Sequence, residues 1–231
     1  TLYRQVLDAL SVAVLIVAAP AFAGRRIFIA PGLSHRPRDG TPEVMRGEEV
    51  QLLGLIDTLA GNGPHTLCLP GTHSKWATIE AGRITGFRTA MTGELYAVLT
   101  QHSLLGALMD KDAGDDAEAF ARGLAAARRA GGLASHLFSV RTLALFDELS
   151  PAAAPSYLSG LLVGHELEGL APASGGVHLI GSAALLLRHS LGQALLLLLG
   201  GLAVGVGLAL VSGVAFKATA EAGTPFQFEP M

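Results

Sequence analysis

Runs of apolar residues alternate with glycine- and proline-containing turns along the first half of the chain. IFIAPGLS (27–34) is a short apolar run ended by Pro-Gly, which predicts a strand and a turn. From Glu43, EVMRGEEVQLLGLIDTLAGNG has apolar residues at helical spacing up to a glycine-containing stop at 61–63. TLCL, KWATIE and RITGFRTAM follow, separated by PGTHS and by Ala81-Gly82. These three segments predict an antiparallel meander.

The second half of the chain has mainly helical spacing. Thr92 is a predicted N-cap for TGELYAVLTQHSLLGALM, and SHLFSVRTLALF continues as helix towards Pro151. In PSYLSGLLVGHELEGL, Gly160 and Gly164 stand one turn apart, which predicts a close approach of another backbone. A strand VHLI, a Gly-Ser turn and a helix come next. Strands in a meander, then helices, then a final strand–glycine–helix unit indicate an α/β fold.

Two long apolar stretches stand apart from this pattern. Residues 9–24 end in Ala-Phe-Ala, as a signal peptide does before its cleavage site. Residues 194–216 carry no charge over 23 positions, which is long enough to span a bilayer. The five glycines in this stretch favour the alternative, a pair of buried helices. We therefore divide the chain into an atypical apolar segment (1–24), a main domain (25–193), and an apolar helical segment with a tail (194–231).

Composition and charge narrow the function classes. The chain has 231 residues, half of them hydrophobic, and a formal charge of −3. A near-neutral chain with scattered basic residues has no electrostatic footprint for nucleic acid. Cys68 is the only cysteine, so an internal disulfide is excluded and a reducing, cytoplasmic location is expected. Its place in the run Leu-Cys-Leu predicts a buried thiol.

The turn PGTHS, between two predicted strands, contains residue types that suit an anion. Glycine lets the backbone approach a ligand closely, and hydroxyls and backbone N–H groups bind phosphate oxygens. A lysine follows the turn directly and adds a positive charge. We therefore predict Gly71, Thr72, Ser74 and Lys75 as phosphate contacts. The alternative is an ordinary hydroxyl-rich turn.

The segment EVMRGEE is a second candidate site. Arg46 has a planar guanidinium that matches a carboxylate, and Gly47 leaves space beside it. One interpretation is a pocket for a hydroxy acid, in which a carboxylate of Glu43, Glu48 or Glu49 is the base that accepts a hydroxyl proton. The other is a solvated helix start with local salt bridges.

Two further features concern nucleotides and metals. LIGSAALL places Gly181 and Ser182 between a predicted strand and a helix N-terminus, where a nucleotide can bind. His165-Glu166 lacks the second histidine of a zinc-protease helix, and His73 and His102 have no partner at a metal-ligand spacing. We expect no metal-ligating side chains.

Six segments together resemble one protein family: IAPGLS, EVMRGEEVQLLG, LPGTHSKW, FRTAMTGELYAVLTQHSLLG, LFSVRTLALF and SYLSGLLVGHEL. In this order, between about residues 25 and 191, they are similar to the 2-dehydro-3-deoxygalactonokinases, sugar-acid kinases of the superfamily that includes acetate kinase, heat-shock proteins and actin. The resemblance implies an actin-like, ribonuclease H-like lobe at 25–193, with a meander and surrounding helices. It also implies phosphorylation of 2-dehydro-3-deoxy-D-galactonate at its terminal (6-)hydroxyl, with ATP and Mg²⁺, in galactonate catabolism.

The resemblance also assigns roles to individual residues. The hydroxyl-rich turn would face the nucleotide phosphates, and Gly181-Ser182 would lie at the adenosine. Arg46 would hold the substrate carboxylate, with Glu48 and Glu49 beside it. Glu43 stands where the family has aspartate, which makes it the preferred candidate for the base.

The chain also departs from the superfamily pattern. The Asp-x-Gly-Thr hairpin, whose aspartate usually holds Mg²⁺, does not occur in this sequence. Because phosphoryl transfer needs positioning and charge neutralisation from both lobes, we expect turnover by this chain to be weak or absent. The alternative functions are a non-catalytic binding or scaffold domain and a membrane-anchored protein held by 194–216. The resemblance and the glycine-rich helix faces suggest a homodimer.

Overall fold

A computed structural model describes most of the middle of the chain and short segments elsewhere. It divides into two compact units, Thr1–Leu59 and Ala60–Met231, and each is described by itself. The described residues are 15–17, 27–29, 32–37, 40–59, 61, 63–169, 177–181, 206–209, 216–219 and 227–230.

The first unit contains two pairs of short antiparallel strands and one helix. The strand predicted at 27–34 is divided into two, and residues 43–45, predicted as the start of a helix, are a strand instead. These residues pair with 33–35, so the helix begins only after the bend at Arg46-Gly47. The elements are β1 (Leu15–Val17), β2 (Ile27–Ile29), β3 (Leu33–His35), β4 (Glu43–Met45) and α1 (Glu48–Ile56).

The second unit combines a mixed sheet with helices. Its elements in chain order are β5 (His65–Leu69), β6 (Ser74–Glu80), β7 (Arg83–Ala90), α2 (Thr92–His102), a 3-10 turn (Gly106–Leu108), α3 (Ala117–Ala127), α4 (Leu133–Leu145), α5 (Ala154–Glu168), β8 (Val177–Ile180), β9 (Val206–Ala209), β10 (Phe216–Thr219) and β11 (Gln227–Pro230).

The sheet confirms the α/β class and the predicted meander. Its strand order is β11-β10-β9-β8-β5-β6-β7. Strand β8 is parallel to both β5 and β9, and the other neighbours are antiparallel. Cys68 on β5 is opposite Trp76 on β6, which is opposite Arg88 on β7. This register fixes which side chains of the meander share a face.

Strand β9 lies inside the apolar stretch 194–216, for which the sequence predicted helix. Residues 194–205 and 210–215 lie outside the described residues. In the part of the chain that the structure describes, no helix combines the length and the apolar character needed to cross a membrane.

Helices α3 and α5 pack with their backbones close together. A Cβ added to Gly160 would lie 2.0 Å from the carbonyl oxygen of Phe120, and one added to Gly164 would lie 2.5 Å from the Cβ of Ala127. Both distances are well below van der Waals contact, so the predicted close approach at these two glycines is confirmed. The buried core around the helices contains Leu105, Ala119, Ala126, Ala127, Val140, Leu149, Ala154, Tyr157, Leu158, Leu161 and Leu162.

Candidate active site

The turn PGTHS joins β5 to β6 and is open on one side. Gly71, Thr72 and His73 are exposed, whereas Pro70 before them and Ser74 after them are buried. In the part of the chain that the structure describes, the backbone N–H groups of Gly71 and Thr72 donate no hydrogen bond to a carbonyl. The turn therefore offers free donors to a ligand. We call residues 70–74 the phosphate loop, after the ligand that the sequence predicts for them.

Ser74 has a buried hydroxyl without a partner. The side chain is fully buried, and within the described residues its Oγ atom forms no hydrogen bond. Leaving such a group unsatisfied costs about 1–3 kcal/mol, so a buried orphan hydroxyl needs an explanation. Ser74 directly follows the three exposed residues of the turn, which makes its hydroxyl a candidate contact for a ligand bound there.

Lys75 points to the other face of β6, because successive side chains of a strand alternate. It is buried, and its Nζ donates to the hydroxyl of Thr89, the residue opposite it on β7, at 3.1 Å. Its predicted role as a phosphate contact stays a prediction.

The first turn of α2 supports the phosphate loop. The N–H of Glu94 donates to the carbonyl of Thr72 at 3.0 Å. A Cβ on Gly93 would lie 2.6 Å from the carbonyl oxygen of Gly71. The carboxylate of Glu94 also contacts Nε2 of His73 at 2.5 Å. Helix α2 thus contacts the turn twice, through the backbone N–H of Glu94 and through the Glu94 side chain.

A carboxylate on α5 connects two elements next to the loop. Oε1 of Glu166 accepts a hydrogen bond from the indole N–H of Trp76 at 2.5 Å, and Oε2 accepts one from the hydroxyl of Thr92. The predicted N-cap role of Thr92 is therefore wrong: the residue begins the helix, Met91 is its N-cap, and the hydroxyl is bound to Glu166. Sequence reasoning noted Glu166 only as part of an incomplete zinc motif.

Cys68 is buried, as predicted. Burial raises the pKa of the thiol well above its usual value, and the nearby charge of Glu166 raises it further. The thiol is therefore protonated at neutral pH and chemically inert.

The EVMRGEE segment surrounds the start of α1. Oε2 of Glu48 accepts from the N–H of Arg46 at 3.1 Å, and Oε2 of Glu49 accepts from the N–H of Gly47 at 2.5 Å. These two carboxylates therefore satisfy backbone groups at the helix start. Arg46 is exposed, and Glu43 is half-buried in β4. Neither forms a hydrogen bond or an ion pair through its side chain with the residues that the structure describes.

The predicted sites lie in different units. The residues of EVMRGEE belong to the first unit, and the phosphate loop belongs to the second. Gly181 follows β8 directly, as predicted, and Ser182 lies outside the described residues.

Histidine pairs were not predicted from the sequence. Nδ1 of His136 and Nε2 of His165 are 2.9 Å apart, and Nδ1 of His65 and Nε2 of His178 are 3.4 Å apart. Burial and, to a smaller extent, His136 lower the pKa of His165, against an opposite effect of Glu168. Over the described ranges, no three His, Cys, Asp or Glu side chains are grouped so that they could hold a metal ion.

Comparisons with known proteins agree with the resemblance seen in the sequence. The model of the family described as 2-keto-3-deoxy-galactonokinase (DGOK) matches residues 4–199. The chain is 44% identical over 172 residues to a Rhizobium meliloti (strain 1021) protein named probable 2-dehydro-3-deoxygalactonokinase DgoK1, and the match covers 70% of this chain and 54% of the relative. It is 40% identical over 146 residues to the 2-dehydro-3-deoxygalactonokinase of Escherichia coli (strain K12), covering 62% of this chain and 48% of the relative.

A solved structure is also similar. It is a crystal structure of a protein assigned as a 2-dehydro-3-deoxygalactonokinase from Sinorhizobium meliloti, with a TM-score of 0.70 and 36% sequence identity. The match covers 86% of this chain and 62% of the other. The chain spans about half the length of the curated relatives that it matches. Because the family model covers most of the sequence, we conclude that this chain belongs to the 2-keto-3-deoxy-galactonokinase family of sugar-acid kinases.

Proposed function

We propose that this chain carries binding elements of a kinase that transfers a phosphoryl group from ATP to the 6-hydroxyl of 2-dehydro-3-deoxy-D-galactonate. Family membership supports the reaction type and the substrate class. The observation that carries the proposal is the fully buried hydroxyl of Ser74 beside the exposed turn, which has no hydrogen-bond partner among the described residues.

The phosphate loop is the proposed site for the ATP phosphates. The N–H groups of Gly71 and Thr72 and the hydroxyl of Ser74 would donate to phosphate oxygens, as donors in a glycine-containing turn do. The N-terminus of α2 lies under the turn, and its partial positive charge favours an anion there. The negative charge of Glu94 opposes this effect, and its carboxylate contacts Nε2 of the His73 ring. Magnesium bound to ATP would neutralise phosphate charge during transfer.

The EVMRGEE segment is the proposed site for the sugar acid. The exposed guanidinium of Arg46 can bind a carboxylate in a bidentate manner. The carboxylates of Glu48 and Glu49 already accept hydrogen bonds from backbone N–H groups at the helix start. Glu43 is therefore the proposed base for the 6-hydroxyl proton.

The nucleotide part of the proposal is tested by substituting Ser74. We expect Ser74→Ala to weaken ATP–Mg²⁺ binding about 10- to 100-fold, the value of a hydrogen bond to a charged group. Because the removed hydroxyl has no partner in the described part of the chain, stability should stay equal or rise by up to about 2 kcal/mol. Calorimetric titration gives the affinity, and urea denaturation gives the stability.

Ser139→Ala is the matched control for this substitution. The hydroxyl of Ser139 is bound to the carbonyl of His136 and to the hydroxyl of Tyr157, so its loss should lower stability and leave ATP affinity unchanged. A wild-type chain that gives no heat with millimolar ATP–Mg²⁺, or an unchanged affinity in Ser74→Ala, would overturn the assignment of the loop.

The sugar-acid part is tested by Arg46→Lys, which keeps the charge and removes the planar fork. We expect weaker binding of 2-dehydro-3-deoxy-galactonate and unchanged binding of ATP. Arg36→Lys, another exposed arginine of the same unit, is the control. Equal sugar-acid affinity in both variants would contradict the role of Arg46.

Four further expectations from the sequence are part of the proposal: an actin-like lobe, nucleoside contacts at Gly181-Ser182, a homodimer, and a cytoplasmic location. Weak turnover by this chain also belongs here, because the sequence contains no Asp-x-Gly-Thr motif. A coupled ATPase assay with the sugar acid present measures the turnover directly, separately from the binding experiments.

A further inference from the structure

We propose that Glu166 is a positioning residue for the phosphate loop: it holds the two elements that support the loop and so sets the affinity for ATP without contacting the nucleotide. This inference rests on the proposed function, since it concerns the same loop. It follows from three observations on the described residues of the second unit.

The loop depends on two supports. Ser74, its last residue, begins β6, and the first turn of α2 lies under Gly71 and Thr72. The contact with α2 is close, because even a Cβ on Gly93 would collide with the loop backbone. A shift of β6 or of α2 therefore displaces the donors of the loop.

Glu166 binds both supports with one carboxylate. Trp76 follows Ser74 by two residues, so their side chains are on the same face of β6. Thr92 is the first residue of α2 and directly precedes Gly93. One oxygen of Glu166 accepts from the Trp76 indole and the other from the Thr92 hydroxyl. The carboxylate thus fixes the separation between the strand that ends the loop and the helix beneath it.

The two donors have little access to water. Trp76 is 5% exposed and Thr92 is 8% exposed, so solvent is poorly placed to replace the carboxylate. Without Glu166 both buried donors need new partners, and the supports have to move to find them. A misplacement of about 1 Å, caused by a mutation away from the site itself, lowers the efficiency of a preorganised site by up to about 100-fold.

The substitutions distinguish positioning from charge. Glu166→Ala removes both acceptors. Glu166→Gln keeps both contacts, because its carbonyl accepts from Trp76 and its amide donates to the hydroxyl of Thr92, which also serves as an acceptor. We therefore expect ATP affinity to fall about tenfold or more in Glu166→Ala and to be largely restored in Glu166→Gln. An electrostatic role would be lost equally in both variants.

Two controls separate positioning from general stability. Glu168→Ala, on the same helix, removes an exposed carboxylate paired with Arg128. Val140→Ala makes a cavity in the core around α4, away from the loop, and lowers stability. Neither should change ATP affinity or the exchange of loop amides.

The experiment combines hydrogen exchange of a peptide covering residues 70–74 with calorimetric titration of ATP–Mg²⁺, on the whole chain. We expect faster exchange and weaker ATP binding in Glu166→Ala alone. Trp76, the only tryptophan, should also change its emission in this variant. The inference would be overturned if Glu166→Ala left the hydrogen exchange of the loop unchanged. It would also be overturned if Glu166→Ala and Val140→Ala, compared at equal stability, bound ATP–Mg²⁺ with equal affinity. If Glu166→Ala does not fold, Thr92→Ala is measured instead. Faster loop exchange and weaker ATP binding are then expected in Thr92→Ala, and unchanged loop exchange would overturn the inference.

The outcomes also separate the two proposals. If the wild-type chain binds no ATP, the proposed function fails, and the positioning of the loop is still decided by hydrogen exchange. If the wild-type chain binds ATP and Glu166→Ala binds it equally well, the inference fails and the proposed function stands.

Discussion

Gly93→Ala tests whether the phosphate loop lies as close to α2 as the structure has it. The added Cβ would lie 2.6 Å from the carbonyl oxygen of Gly71 and 2.8 Å from Cα of Thr72. Both are backbone atoms, so no side chain can turn away to make room. The loop and the helix must separate by at least about 0.4 Å to reach the shortest contact that real Cβ atoms show.

The expected energy follows from three effects. Overpacking of this kind costs about 1–3 kcal/mol. The separation also lengthens the hydrogen bond from Glu94 to Thr72, worth about 0.5–1.5 kcal/mol. Alanine offsets part of this loss through its higher helix propensity, by up to about 1 kcal/mol. We expect Gly93→Ala to lower the free energy of unfolding by about 1–3 kcal/mol.

Urea denaturation followed by Trp76 emission measures this change, because this single tryptophan lies in the same unit as the loop. Gly114→Ala is the control: space is open around Gly114, so alanine should be neutral or stabilising by up to about 1 kcal/mol. Titration with ATP–Mg²⁺ then shows whether the displaced loop binds less tightly. A Gly93→Ala chain as stable as Gly114→Ala would refute the close packing, and one that is destabilised yet binds ATP normally would refute the nucleotide assignment.

Three other predictions follow from packing and titration. Gly160→Ala should destabilise the chain by about 3 kcal/mol in urea denaturation, because its Cβ would meet the carbonyl of Phe120; a stabilised variant would contradict the contact. Because the pKa of His165 is lowered in the folded chain, this histidine takes up a proton at higher pH in the unfolded chain than in the folded one. The free energy of unfolding should therefore fall as the pH drops below about 6.5, and the urea midpoint should fall less with pH in His165→Gln. Because the pKa of Cys68 is raised, alkylation by iodoacetamide should be no faster than unfolding, and fast alkylation of the folded chain would refute its burial.

Local sequence patterns were sufficient for much of the fold. The meander, the helix containing Gly160, and strand β8 were predicted because strand alternation, turn residues and helical spacing depend on near neighbours in the chain. The hydroxyl-rich turn and the buried thiol of Cys68 were also predicted from such local patterns. The prediction was wrong where a distant partner mattered: residues 43–45 have helical spacing but pair with β3 as a strand.

The surroundings of the candidate site depend on contacts that no local pattern contains. Glu166 meets side chains 90 and 74 residues away, and the choice of these partners follows from how α5 packs on the sheet and on the start of α2. Residue types along the chain therefore indicated which groups can bind an anion. Only the folded structure shows which hydroxyl is buried without a partner among the described residues, and which carboxylate accepts from both Trp76 and Thr92. Burial and hydrogen bonding between remote segments depend on how the elements pack.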